Sequence, residues 1–246
     1  MEVGGRSRWW LEHAPRSAPK GLLPAVLVLH GGGGDPYNAE RMSAMSELAD
    51  REGFLAVYPA GTGRFHRRLL TWNSGNCCAY AMKNDVDDSA FLAALVGRLV
   101  KENGVDPKRV YVTGMSNGAM MTHRFACEHA ELVAAIAPVA GQNNAPACRP
   151  SRPVPVLMIH GLEDEHAPYA GGRGKKSLSP REDRSVAESA AIWEKAGSSV
   201  TLVTHPGGHI WPGGKPGLRY GNADAVRAEP KATEEMWRFF KERPRP

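Results

Sequence analysis

Long apolar runs are missing from this chain of 246 residues. The strongest, residues 25–29, is only strand length, so no membrane insertion is expected. The first residues are polar and glycine-rich, without the charged start and apolar stretch of a leader, so no signal peptide is visible; removal of one before Met1 is compatible with this. Cysteine is scarce: Cys77, Cys78, Cys127 and Cys148 are the four, none in C-x-x-C spacing, which argues against zinc and thioredoxin-like chemistry. Internal repeats and low-complexity linkers are absent, and the length suits one large α/β domain over residues 1–246. Aromatic residues make up only 7%. A net charge of +5 comes partly from Arg64, Arg67 and Arg68 and from Lys175 and Lys176. These clusters come with no nucleic-acid module and no interleaved stacking aromatics, so they read as solvated loops and no nucleic-acid partner is expected.

What is present is alternation. Apolar runs at residues 7–13, 25–30, 54–58, 109–113, 134–139, 154–160 and 199–204 read as strands. Helical spacing falls between them at residues 38–52, 87–102, 119–129 and 185–196, with a last helix near 230–241. In the 87–102 segment Asp87 or Asp88 can cap, Phe91, Leu92, Leu95 and Leu99 form the apolar stripe, and Asn103-Gly104 ends the helix. Such alternation predicts a mostly parallel sheet covered by helices on both faces. Residues 169–180, rich in glycine and lysine, read as a mobile surface loop.

The chemistry centres on Gly114-Met115-Ser116-Asn117-Gly118, which follows the apolar run Val110-Tyr111-Val112-Thr113. Strand, sharp turn and helix with serine at the turn describe a nucleophile elbow. A serine hydroxyl needs a base, and the base needs an orienting acid. On such a scaffold the order along the chain is serine, acid, histidine. Asp164, just beyond the strand at 154–160, is the expected acid, with Glu163 second. His209, flanked by glycines in a late loop, is the expected base; His205 is read as packing at a strand end. His205 and His209 are four apart, but the intervening Pro206-Gly207-Gly208 precludes a regular helix, so no metal is assigned. The oxyanion needs two fixed N–H donors: the backbone of Asn117 and an amide of His30-Gly31-Gly32-Gly33-Gly34, with Gly32 favoured and Gly33 the alternative. No Gly-Lys-Ser/Thr follows those glycines, so a phosphate loop is not supported.

Taken together, these segments resemble the polyhydroxybutyrate-depolymerase and feruloyl-esterase-like branch of the α/β-hydrolases. The likeness is carried by Leu29 through Gly34, Thr71-Trp72-Asn73-Ser74-Gly75-Asn76-Cys77-Cys78, Asp85-Val86-Asp87-Asp88, Arg109 through Met121, and Ala137-Pro138-Val139-Ala140-Gly141. His160-Gly161 with Asp164, Pro168-Tyr169 and Gly208-His209-Ile210-Trp211-Pro212-Gly213-Gly214 complete it. The resemblance implies an α/β-hydrolase fold, a Ser116–Asp164–His209 triad, hydrolysis of carboxylic esters without a cofactor, and an extracellular or periplasmic location. Two departures stand out: Glu163 where the branch often has a small residue, and Ser198 where a cysteine is common, which implies that a family disulfide is missing.

The expected activity is that of a serine carboxylesterase. Soluble esters with short acyl or hydroxycinnamoyl groups are preferred as substrates, because no adsorbing module is visible beside this domain. A polyester depolymerase is the alternative, and an acyltransferase or peptidase is a rival on the same scaffold. A non-catalytic hydrolase-like binding protein would be expected to lose a triad member, and none is lost. Trp72, Trp211 and Tyr169 are expected to border substrate. The even cysteine count is compatible with disulfides or with buried thiols. Cysteines beside a site loop would pin it, and adjacent residues rarely bridge, so a bond from Cys77 or Cys78 to Cys127 or Cys148 is expected. The oligomeric state is not legible.

Overall fold

The computed structural model describes residues 1–17, 20–177, 179–215 and 229–246. The chain opens with a small antiparallel hairpin, β1 (Glu2–Val3) and β2 (Arg6–Ser7). Then follow β3 (Trp10–His13), β4 (Leu23–Leu29), α1 (Pro36–Ser43), α2 (Met45–Glu52), β5 (Leu55–Pro59), α3 (Ala79–Lys83) and α4 (Asp88–Glu102). The second half contributes β6 (Val105–Met115), α5 (Asn117–Glu128), β7 (Ala135–Val139), β8 (Val156–Gly161), α6 (Val186–Lys195), β9 (Val200–His205) and α7 (Ala232–Lys241). Among the described residues the main sheet has seven strands in the order β3-β5-β4-β6-β7-β8-β9. Only the β3–β5 pair is antiparallel.

Both faces of this sheet are apolar, because its strands are nearly continuous hydrophobic runs whose side chains alternate between faces. Leu27, Val112, Ile136 and Met158 join one cluster with Phe91, Leu95 and Leu99 of α4, Phe125 of α5 and Trp193 of α6. Their strand neighbours Val28, Tyr111, Ala137 and Leu157 join a second cluster with Met45 and Leu48 of α2 and Met236 and Phe240 of α7. The sheet is thus covered by helices on both faces, as its alternation predicts.

Two predicted elements are split. The strand expected at residues 7–13 is two, because Arg8 leaves the sheet: its guanidinium turns inward to Asp88 Oδ1 at 2.7 Å and to the carbonyl of Ala60 at 3.1 Å. The helix expected at residues 38–52 starts earlier, at Pro36 behind the cap Asp35, and breaks at Ala44, whose φ is 51°. The Ser43 hydroxyl donates to the Ala39 carbonyl and accepts from the Met45 amide, offering the backbone a partner that continued helix would not need. Asp87 caps α4 as expected, accepting from the Ala90 amide at 2.9 Å, whereas Asp88 is buried with Arg8.

Candidate active site

Ser116 occupies the junction of β6 and α5 with φ 58° and ψ −122°, a conformation that costs a non-glycine residue on the order of 1–3 kcal/mol. Neighbouring backbone holds it there. Its amide donates to the Val139 carbonyl at 2.9 Å, and its own carbonyl accepts from Met120 at 3.0 Å. The flanking glycines are required by close approach. A Cβ on Gly114 would lie 2.7 Å from the Gly118 carbonyl carbon and 2.8 Å from the Leu29 oxygen, and one on Gly118 would collide with the Leu29 and His30 oxygens.

Asn117 does more than present a backbone amide at the first position of α5. Its side chain accepts from the Trp72 amide at 2.7 Å and donates to the Trp72 carbonyl at 3.0 Å, fastening residue 72 by both backbone groups. Nothing in the local sequence signals this clamp, since its partner lies 45 residues away.

The glycine loop after β4 is held by its own histidine. His30 is fully buried, and burial pushes it down to about 4, so it is neutral near pH 7. Its Nδ1 pairs with the Gly31 carbonyl at 2.8 Å, and its Nε2 accepts from the Gly61 amide at 3.0 Å. Gly33 donates to Leu70 and Gly34 to Gly31. The Gly32 amide has no such acceptor among the described residues. A Cβ on Gly32 would stand 3.6 Å from that of Asn117, so the two residues expected to supply oxyanion donors are neighbours.

Beyond β8, Asp164 is buried. Its Oδ2 lies 2.7 Å from His209 Nδ1, and its Oδ1 accepts from the His166 and Ala167 amides, each at 2.8 Å. Burial alone would raise this carboxyl. Attraction to and hydrogen bonding with His209, with help from His160 and the Ala167 amide, outweigh burial and hold it below the usual range. Glu163 is exposed, and among the described residues its amide is engaged with Gly207 at 3.0 Å while its carboxylate has no partner. His209 is itself buried, with the His166 ring stacked on it at 4.7 Å and 28°. Its loop crosses the end of β8 so closely that a Cβ on Gly161 would meet the Gly207 and Gly208 oxygens. His205 is buried at the end of β9, opposite Gly161. His160, whose pKa burial lowers from its ordinary value, pairs with the Ala167 carbonyl at 2.8 Å and so braces the Asp164 loop. Asp164, His166 and His209 bring donor atoms within 4.8 Å of one another. Both oxygens of Asp164 already accept N–H groups, which suits an orienting acid better than a metal ligand.

Ser116, His209, Gly32 and Asn117 all border one cleft of about 420 Å³. Leu69, Met82, His166 and Arg181, none singled out from sequence, share its wall. The 169–180 loop contributes Ser177, Ser179 and Pro180; Leu178 lies outside the described residues. The structure does not bring Trp72, Trp211 or Tyr169 to this wall. Trp72 is fully buried, with Nε1 on the His30 carbonyl at 3.0 Å, and Trp211 is buried with Nε1 on Thr233 Oγ1 at 3.0 Å. Each indole N–H finds its acceptor inside the protein, so the ring is satisfied within the core rather than on the cleft wall. Tyr169 packs edge-on against His160, with centroids 6.0 Å apart.

The cysteine pairing differs from expectation: Cys77 bridges Cys78, and Cys127 bridges Cys148, with Cα atoms 4.8 Å apart in the second pair. The two pairs lie in separate packing environments. Cys77 sits in a small cluster with Met120 and Ala167, while Cys127 of α5 and Cys148 join the large cluster that packs on one face of the sheet. Ser198, the expected departure, accepts the Val154 amide at 2.9 Å.

Comparison with known proteins identifies the family and the fold. The family described as Esterase PHB depolymerase matches residues 10–147, more than half of the chain. The chain is 31% identical to NocK of Nocardia uniformis subsp. tsuyamanensis, a protein named as an esterase, over 86% of this chain and 73% of NocK. It is 34% identical to the bifunctional acetylxylan esterase/xylanase XynS20E of Neocallimastix patriciarum over 62% of this chain, but spans only 21% of that relative. With feruloyl esterase B of Piromyces equi it shares 35% identity over 41% of this chain and 19% of that protein. Among solved structures, esterase PE8 superposes with a TM-score of 0.64 at 18% identity, covering 96% of this chain and 98% of that one. Thermogutta terrifontis esterase 2, phosphonylated by cyclosarin, gives 0.65 at 16% identity over 98% and 91%. These structural likenesses carry the fold. No helix among the described residues is long and apolar enough to cross a membrane. By its sequence match and its architecture, the chain belongs to the esterase PHB depolymerase family, within the α/β-hydrolase superfamily.

Proposed function

We propose that this family member is a serine carboxylesterase working through an acyl-enzyme. One observation carries the reading: a strained Ser116 shares a cleft with His209, and His209 is held by the buried, ionised Asp164 at 2.7 Å. Ser116 Oγ attacks the ester carbon, and its proton passes to His209 Nε2, since Nδ1 is committed to Asp164. The tetrahedral oxyanion is met by the amides of Gly32 and Asn117. Collapse breaks the C–O bond, and His209 returns the proton to the departing alcohol. Water, deprotonated by His209, then cleaves the acyl-enzyme and releases the acid with Ser116 restored. The chain's own groups complete this cycle with no cofactor.

Soluble esters with short acyl or hydroxycinnamoyl groups are the proposed substrates. A cleft of about 420 Å³ suits a small acyl group and part of its alcohol. Relatives named as feruloyl and acetylxylan esterases support the same class. A poly(3-hydroxyalkanoate) depolymerase of Paucimonas lemoignei, 30% identical over 53% of this chain, keeps polyester in view. Initial rates on methyl ferulate, p-nitrophenyl butyrate and a polyhydroxybutyrate film decide between them; rapid film clearing with negligible small-ester turnover would make this a depolymerase. Two disulfides support an extracellular or periplasmic setting.

The mechanism is tested by Ser116→Ala. Labelling by a fluorophosphonate probe should disappear, and ester turnover should fall by about 10³-fold or more in a folded protein. Near-normal turnover would remove the mechanism. A wild-type chain that neither labels nor turns over esters would be a binding protein on a hydrolase scaffold.

A further inference from the structure

One loop walls two cavities. Leu69 and Thr71 border the cleft over Ser116. A few residues earlier, Gly61, Gly63, Arg64 and His66 border a second cavity of about 320 Å³, closed on its other side by Arg6 and Trp9. No carboxylate is among the residues lining either cavity. Arg8 also reaches the second cavity but is committed to Asp88. Arg6 and Arg64 have no ion-pair partner among the described residues, and neither do Arg67 and Arg68 on the same loop.

The sequence showed these arginines without stacking partners, and the fold supplies the aromatics from elsewhere. Trp9 lies 6.5 Å from His66, stacked at 24°, and 6.3 Å from Tyr37; Arg67 sits over the Trp9 ring at 5.2 Å. Tyr37, in contact with Trp9 outside the cavity's lining, is 56% exposed. Clustered cations without acids repel one another and raise the local concentration of anions. A guanidinium fork matches the paired oxygens of a carboxylate, as it does those of a phosphate. Exposed aromatic rings give the C–H face of a sugar a surface to pack on. Cations that converge on one cavity fit a single charged ring better than the extended stripe that tracks nucleic-acid phosphates.

We propose that this second cavity binds a carboxylated sugar, a uronate unit of the polymer whose nearby ester enters the cleft. The link to a scissile ester rests on the esterase reading of the cleft; the cavity's own ligand does not. Calorimetric titration of the wild-type protein with trigalacturonate, which carries no ester, tests it directly. Binding is expected, weakened at high salt, with xylotriose as a neutral ligand that does not bind. The double variant Arg6→Ser/Arg64→Ser should weaken trigalacturonate at least about 10-fold. Its turnover of p-nitrophenyl acetate and its fluorophosphonate labelling should stay unchanged, which also reports that it is folded. Absence of trigalacturonate binding to the wild type overturns the proposal. So does equal binding by the double variant, or tighter arginine-dependent binding of a short single-stranded oligodeoxynucleotide. Failure of fluorophosphonate labelling would strike the cleft alone, so the two readings fail separately.

Discussion

At the scale of residues, adjacent carboxylates after β8 meet opposite fates. Asp164 is buried against His209, while Glu163 faces solvent. Asp164→Asn is therefore expected to lower kcat by about 10³–10⁴-fold, because the imidazole loses the partner that sets its tautomer. Glu163→Gln should stay within about 2-fold. Steady-state kinetics on one soluble ester checks both, and the reverse ranking would move the acid to Glu163. Much of this cluster was legible because each residue follows a strand in a fixed order, and order along the chain is one-dimensional information. The Asn117 clamp was not, nor was the burial of Trp72 and Trp211 away from the cleft wall. Both depend on which acceptor lies nearby in space, and that is fixed only by packing.

At the scale of elements, strands and helices were legible where periodicity was uninterrupted, as in α4. The break at Ala44 was not, because alanine favours helix and the competing hydroxyl of Ser43 acts only in the folded context. Asp87 and Asp88 show the same limit: sequence offered both as caps, and a partner 80 residues away chose between them. The two should differ in energy. Asp87→Ala removes one cap interaction at the surface and is expected to cost about 1 kcal/mol. Arg8→Ala strands the buried Asp88 carboxylate, which also accepts from the Asn73 amide near the cleft, and should cost about 3–5 kcal/mol. Urea unfolding of the two variants gives the ranking; equal losses would mean that the pair is not closed in solution.

At the scale of the whole molecule, two buried histidines set a pH window. Burial pushes His30 to about 4 and His123 to about 3, and His123 accepts the Trp193 indole N–H at 2.9 Å, which requires its neutral form. In the unfolded chain both titrate near 6.5. Above that value they are neutral in either state and contribute no pH dependence. As pH falls from about 6.5 to about 4, the unfolded chain binds protons that the fold refuses, so stability drops, by on the order of 3 kcal/mol for each histidine. Urea midpoints at about pH 7.5 and about pH 5 should differ in that direction; a flat profile would mean that one or both rings are protonated in the fold.

The Asn117 clamp has a further consequence, for how the molecule ages. Asn117-Gly118 is the dipeptide in which a backbone nitrogen most readily attacks the preceding side-chain amide, closing an imide with loss of ammonia, which water then opens to aspartate or isoaspartate. In the fold that attack is blocked, because the amide is bound at both ends to residue 72 and Gly118 is set into the first turn of α5. Each excursion to the unfolded chain removes the protection. A converted residue would press a carboxylate against the Trp72 carbonyl and set a negative charge beside the proposed oxyanion site. Heat damage would then be written into the covalent structure, and the folded state acts as the preservative of the turn that carries Ser116.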